Sequence, residues 1–304
     1  MYSRFRVTCA ALLVGLASAN CAAQTKISIA HGLAADFLPA FVAKDEGIFA
    51  RHKLDVTLTP IQNSSLVPAA LASGSAQIGI NTPPNLILAV EGGLDQVAIA
   101  GAARLRKDNQ RIGLATRPGF SIAKAEDLKG RKVGIPGINS VIDMFLKKWL
   151  LDHKVALNQV ALIEAAPPQM GDRLKSGQLD AVAIFEPLYS RIVASGSGAR
   201  SIDFFSEVNP DVLGSFWAAT RAWAESNRPA VAAFRESLAE AQAFIQKNPE
   251  RSRQIETKYL GFAGPRLPTF KIEMQPGDFE FFVKVGRELS LVRQSIDTSR
   301  LIFN

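Results

Sequence analysis

Cysteine is nearly absent from this chain. Its 304 residues contain two, Cys9 and Cys21, and both fall within the first 23. If that segment is removed, no thiol remains. That would exclude a disulfide framework, a thiolate metal site and a cysteine nucleophile together. Histidine is also scarce, with three residues, of which His52 and His153 stand beside charged neighbours as surface histidines do. No run of lysine and arginine interleaved with aromatics points to nucleic acid. No Ser-His-Asp spacing, Walker glycine loop or HExxH zinc motif occurs, so no catalytic residue and no metal or other cofactor is expected. No linker rich in glycine, serine or proline divides the chain into tethered domains. A chain of about 280 residues buries enough apolar surface to be stable without disulfides.

What is present begins with an export signal. Arg4 and Arg6 precede an apolar stretch from Val7 to Ala17, and small residues follow to Ala23. That stretch is well short of the ~20 residues that span a bilayer, and its layout is that of a secretory signal over residues 1–23. Cleavage after Ala23 would start the mature chain at Gln24; cleavage after Ala19 is the competing choice. A lipid anchor would need Cys21 at the new N-terminus, and Asn20 is a poor small-residue match before it. The formal charge of +7 falls to +5 once Arg4 and Arg6 are lost, since the segment holds no acids. So modest a balance biases only weakly toward anionic ligands.

From Lys26 onward short apolar runs alternate with helical patterns, which predicts parallel α/β construction. Strands are expected at Lys26–Ala30, Leu54–Leu58, Gln77–Ile80, Lys132–Ile135, Val160–Ile163, Ala181–Phe185 and Ser215–Thr220. The first helix would be capped by Asp36 and ended by Gly47. Ser65 would cap Leu66–Ser73, and Thr82-Pro83 would open a helix through Val90. Asn139 or Ser140 would cap Val141–Asp152. Long helices are expected from Pro229 to Lys247 and from Pro249, with a last amphipathic one around Phe279, Phe282, Val283 and Val285. One local match points to two similar halves: Leu71-Ala-Ser-Gly-Ser-Ala-Gln77 and Leu174-Lys-Ser-Gly-Gln-Leu-Asp180 each precede a strand.

Five stretches carry a resemblance: FVAKDEGIFARHKLDV (Phe41–Val56), ALASGSAQIGI (Ala70–Ile80), DLKGRKVGIPGINS (Asp127–Ser140), LKSGQLDAVAIFEPL (Leu174–Leu188) and FIQKNPERS (Phe244–Ser252). Together they resemble the substrate-binding proteins of nitrate/sulfonate/taurine-type ABC importers. The resemblance implies an α/β periplasmic-binding-protein fold with a ligand cleft between two lobes joined by two crossovers. Lobe 1 would hold residues 24–102 and 215–304, and lobe 2 residues 103–214. It further implies a periplasmic monomer that captures a small molecule and delivers it to an inner-membrane permease.

In parallel α/β sheets ligands bind beyond the carboxyl ends of the strands, where helix N-termini offer free N–H groups. The candidate ligand residues are therefore His31, Asn63, Ser64, Asn81, Thr82, Asn139 and Ser140. Ser65, Thr82 and Ser140 are also explained as helix caps, worth about 1 kcal/mol each. His31 serves equally as a hydrogen-bonded structural histidine. Glu186, before Pro187, resembles the family's Glu-Pro at the cleft; it either satisfies backbone donors near the hinge or pairs with a ligand amine or a basic residue. Arg104, Arg106 and Arg111 lie near the first crossover, where one could meet an anion; the plainer reading is a solvated basic loop. Phe185 and Trp217 read as core or cleft wall. The expected ligand is a small organic anion, a sulfonate, taurine-like compound or aromatic carboxylate. The alternatives are a pyrimidine or thiamine precursor, a catalytic relative of the same fold, and a sensor independent of transport.

Overall fold

The computed structural model describes residues 24–61 and 64–304. The expected export signal, the cleavage sites, Cys21 and Asn63 lie outside the described residues.

Two sheets organise the chain. The first contains β1 (Thr25–His31), β2 (Leu54–Pro60), β3 (Ile78–Asn81), β4 (Gln96–Arg106), β10 (Asp211–Thr220) and β11 (Thr269–Phe270), in the order β11-β4-β10-β3-β1-β2. The second contains β5 (Ile112–Thr116), β6 (Lys132–Ile135), β7 (Ala161–Glu164), β8 (Ala181–Phe185) and β9 (Ala199–Arg200), in the order β7-β6-β8-β5-β9. Within the first, β1 pairs in parallel with both β2 and β3, and β10 closes antiparallel onto β3. Within the second, β6 pairs in parallel with β7 and β8, and β5 closes antiparallel onto β8. The two sheets repeat one plan.

Helices cover the sheets in chain order. With the first come α1 (Leu38–Asp45), α2 (Ile48–Arg51), α3 (Val67–Ala72) and α4 (Pro83–Glu91). With the second come α5 (Val141–Asp152), α6 (Met170–Lys175), α7 (Leu188–Ala194) and α8 (Phe204–Val208). The return adds α9 (Arg221–Ser226), α10 (Arg228–Lys247), α11 (Pro249–Leu260) and α12 (Gly277–Glu288). The short sequence match marks equivalent corners of the two halves. Leu71 and Leu174 are both buried, and Gly74 and Gly177 end α3 and α6 with φ of 74° and 73°. That left-handed turn costs glycine nothing and strains other residues.

Four strands have no counterpart among the expected ones, namely β4, β5 and the two-residue β9 and β11. β4 is buried along almost its whole length and rich in alanine, so it lacks the apolar–polar alternation of a half-buried strand. Gly101 is there for room, since a Cβ would come within 2.3 Å of the Lys271 carbonyl oxygen. β5 is buried throughout as well. Strand pairing also moves the crossovers relative to the expected 102/103 and 214/215 boundaries. Asp211 pairs with Arg106 and Leu213 with Arg104 in the first sheet, so the chain leaves that sheet after Arg106 and rejoins it at Asp211.

The lobes touch beside the hinge. Phe145 on α5 stacks on Phe205 at 4.1 Å and meets Phe281 and Phe282 of α12 at 5.4 and 6.1 Å. Lys148 reaches Glu288 at 3.3 Å across the same seam.

Candidate functional site

The carboxyl ends of β1, β3, β6 and β8 converge on one cleft between the sheets, with about 880 Å³ of empty space, part of it open to solvent. Its wall is mostly apolar. Phe37, Ile80 and Leu105 come from the first lobe, and Ile112, Val141, Ile142 and Phe185 from the second. The polar part of the wall is small: Asp36, Asn81, Thr82, Arg111, Ser140 and Ser215.

Arg111 is the centre of this polar group. It is 3% exposed, at the end of the first crossover. Its guanidinium faces Asp36 at 3.3 Å and donates to the Arg266 carbonyl at 3.1 Å and the Glu186 carbonyl at 3.4 Å. One side chain thereby ties together three separate segments of the chain. Burial pushes its pKa below the ordinary arginine range, and the charges of Asp36, Glu186 and Glu256 work against that shift. Arg111 is therefore no part of a solvated basic loop, whereas Arg106, paired with Asp108, does fit that expectation. Arg104 turns away to Asp211 and Asp278.

Asp36 is likewise no helix cap. It lies inside a 3-10 turn, Ala35–Phe37, and its second oxygen accepts from the Ser215 hydroxyl at 3.0 Å. Ser65 is not the cap of α3 either, because it sits within the 3-10 turn Ser64–Leu66 and α3 starts at Val67. Ser140 does cap α5, accepting from the Asp143 N–H at 3.3 Å.

Of the described candidates Asn81, Thr82 and Ser140 line the cleft, whereas His31, Asn139 and Glu186 do not. The Asn81 amide oxygen accepts from the Thr82 N–H at 2.8 Å, while its Nδ2 is buried without a partner among the described residues. Thr82 has the backbone of an N-cap, but its buried Oγ1 makes no capping bond and has no partner among the described residues. Arg111 Nε is in the same condition. Pro83 and Pro84 open α4 without N–H groups, so this helix end offers far fewer donors than the sequence pattern implies. The N–H groups of Val141 and Ile142, at the start of α5, lie outside that helix's own ladder.

His31 does not line the cleft. Its Nδ1 meets the Gly32 carbonyl at 3.0 Å, and its ring stands edge-on to Phe41 at 5.0 Å. Burial lowers its pKa, against an opposing pull from the Gly32 carbonyl. The folded chain therefore keeps the ring neutral where the unfolded chain protonates it, near pH 6.5. His31's contribution to stability is full above that pH and is lost as pH falls below it. Replacing His31 by glutamine should flatten this part of the slope. The check is the urea midpoint at about pH 7.5 and pH 5.5; an unchanged pH difference in the variant refutes the assignment.

Glu186 is buried, but its carboxylate accepts from the Ser190 N–H and hydroxyl at 3.1 and 2.7 Å instead of facing the cleft. Asn139 is half-buried with a φ of 61°, and its N–H donates to Asp143. Of Ser64 only the backbone is described, opening its 3-10 turn. Phe185 lines the cleft, whereas Trp217 lies in the core behind Phe37, 6.1 Å away. Among the described residues no group of three or more His, Cys, Asp or Glu could hold a metal ion. No helix among them is long and apolar enough to cross a membrane.

Comparison with known proteins places this architecture. A chain of Brucella abortus (strain 2308), described provisionally as a binding protein, is 28% identical over 255 residues, 82% of this chain and 76% of that one. The taurine-binding periplasmic protein of Escherichia coli (strain K12) is 25% identical over 245 residues, 79% of this chain and 72% of that one. The alkanesulfonate-binding protein SsuA of Xanthomonas axonopodis pv. citri, bound to MOPS, matches with a TM-score of 0.80 at 15% identity, over 93% of this chain and 99% of that one. The fold is thus the two-lobed α/β fold of periplasmic binding proteins. The NMT1-like family model matches residues 21–258, most of both lobes, and the chain belongs to that family.

Proposed function

We propose that this chain is the solute-capturing subunit of an ABC-type importer. It acts in the periplasm without catalysis and presents a small organic anion, held in the interlobe cleft, to a membrane permease. One observation carries the reading: cleft-lining residues from the end of β3 and from the crossover leave buried polar atoms without partners, at Asn81 Nδ2, Thr82 Oγ1 and Arg111 Nε. Buried polar groups are nearly always satisfied, so three such atoms on cleft-lining residues call for partners that the described residues do not supply. The N–H groups at the start of α5 add partial positive charge from the other lobe. The taurine and alkanesulfonate relatives support the same class of solute.

The test is thermal denaturation of the mature chain against sulfonates, carboxylates, nitrate and pyrimidines. A true ligand at 100 times its dissociation constant stabilises by about 2.7 kcal/mol. At least one organic sulfonate or carboxylate is expected to raise Tm accordingly. A panel with no effect overturns capture, and a shift confined to pyrimidines overturns the anion.

A further inference from the structure

Each side-chain carboxylate and amide oxygen on the cleft wall already has a partner, while the groups there left unpartnered among the described residues are two N–H donors and one hydroxyl. Asp36 Oδ1 faces Arg111 at 3.3 Å and Oδ2 accepts from Ser215 at 3.0 Å. Asn81 Oδ1 accepts from Thr82 N–H, and the Ser140 hydroxyl accepts from Asp143 N–H. Against these stand two unpartnered nitrogens, Asn81 Nδ2 and Arg111 Nε, on residues 0% and 3% exposed, and one unpartnered hydroxyl, Thr82 Oγ1. Asp143 Oδ1 is an open acceptor near α5, but Asp143 does not line the cleft. The charges on the wall, Arg111 and Asp36, cancel each other. The rest of the wall is apolar, with Phe37, Leu105, Ile112, Val141, Ile142 and Phe185 on it.

Building on the capture reading, we infer that the cleft selects ligands whose polar head only accepts hydrogen bonds, a carboxylate or sulfonate, carried on an apolar body, and rejects ligands that also bear an ammonium group. The head lies against Asn81, Thr82 and Arg111, and the body between Phe37 and Phe185. An ammonium would be stripped of water against side-chain oxygens that each already hold a partner, with only the Thr82 hydroxyl on that wall unpartnered among the described residues. A bare inorganic anion satisfies the donors but leaves the apolar wall to water. The polarity is set by Asn81: its amide is turned by the Thr82 N–H so that the NH₂ end is the free one.

Equilibrium binding to the mature chain is to be measured with hexanoate and hexanesulfonate, with ω-aminohexanoate as the matched ammonium compound, and with taurine and nitrate. Hexanoate or hexanesulfonate should bind about 100-fold more tightly than ω-aminohexanoate and taurine, the scale of one unsatisfied buried charge, and more tightly than nitrate, which leaves the apolar wall unfilled. Asn81→Asp replaces the free donor by an acceptor at nearly constant shape. It should weaken hexanoate and narrow the hexanoate-to-aminohexanoate ratio by about 10-fold or more. Thr82→Val, which keeps the size and removes the hydroxyl, should narrow it in the same direction, so the outcome does not depend on Asn81→Asp folding. A merely structural role would weaken both compounds alike. Aminohexanoate within about 10-fold of hexanoate, or taurine or nitrate as tight as the best probe, overturns the selectivity and leaves capture standing. Failure of every probe here and of the whole thermal panel overturns both.

Discussion

Replacing Arg111 by methionine is expected to lower the unfolding free energy by about 3–5 kcal/mol and to abolish ligand capture. Methionine fills much of the same volume but makes none of the polar contacts. The Asp36 carboxylate would keep only its bond from Ser215, and the Arg266 and Glu186 carbonyls would lose their donor. Removing one partner of a buried pair costs far more than removing both, because the other charge is left desolvated. Arg111→Met with Asp36→Leu should therefore recover part of the stability and none of the binding. Lysine should rescue little, since a single ammonium cannot reach Asp36 and two carbonyls on different segments at once. Urea unfolding by linear extrapolation gives the stabilities, and the best-binding probe of the panel gives the affinities. A methionine variant within about 1 kcal/mol of the parent would show that Arg111 does not hold the crossover to its neighbours.

The residues that matter most here were the least visible in the sequence. Strand-ends, helix starts and the paired corners at Gly74 and Gly177 are local features, and periodicity with capping chemistry exposes them. Arg111 and Asp36 are 75 residues apart, and nothing adjacent to either marks it as buried. Beside Arg104 and Arg106 in the chain, Arg111 looks like one more surface cation. Asp36 stands where a cap belongs, just before an apolar helix, and only Arg111 and Ser215 reveal its use. Asn81 and Thr82 were legible because the end of a strand and a Thr-Pro helix start both fall there. The same pattern misled about the donors, since Pro83 and Pro84 remove the N–H groups that make a helix end attractive to an anion. β4 is illegible in the sequence for a third reason: a strand buried on both faces has no alternation to read.

Stability and binding should also be coupled through a residue that never meets the ligand. Trp217 is 1% exposed on β10, where it pairs with Ile80 of β3 and Ala100 of β4. Its ring packs edge-on against Phe37 on one side, at 6.1 Å, and Phe234 of α10 on the other, at 5.5 Å. Truncating a buried tryptophan to alanine costs about 3–5 kcal/mol, since the surrounding sheet and helix cannot collapse into the space. Phe37 would lose the support behind it, and Phe37 is part of the apolar wall of the cleft. A wall free to move back into a cavity no longer presents a fixed surface, so ordering it becomes part of the cost of binding. Trp217→Ala should therefore weaken hexanoate binding even after correction for the unfolded fraction, and Trp217→Phe should weaken it less in proportion to the smaller void. Denaturation midpoints and titrations on the same two variants decide the matter: affinity unchanged in a folded Trp217→Ala protein would mean that Phe37 is held in place by His31, Phe41 and its own turn, and that the cleft wall is independent of the core behind it.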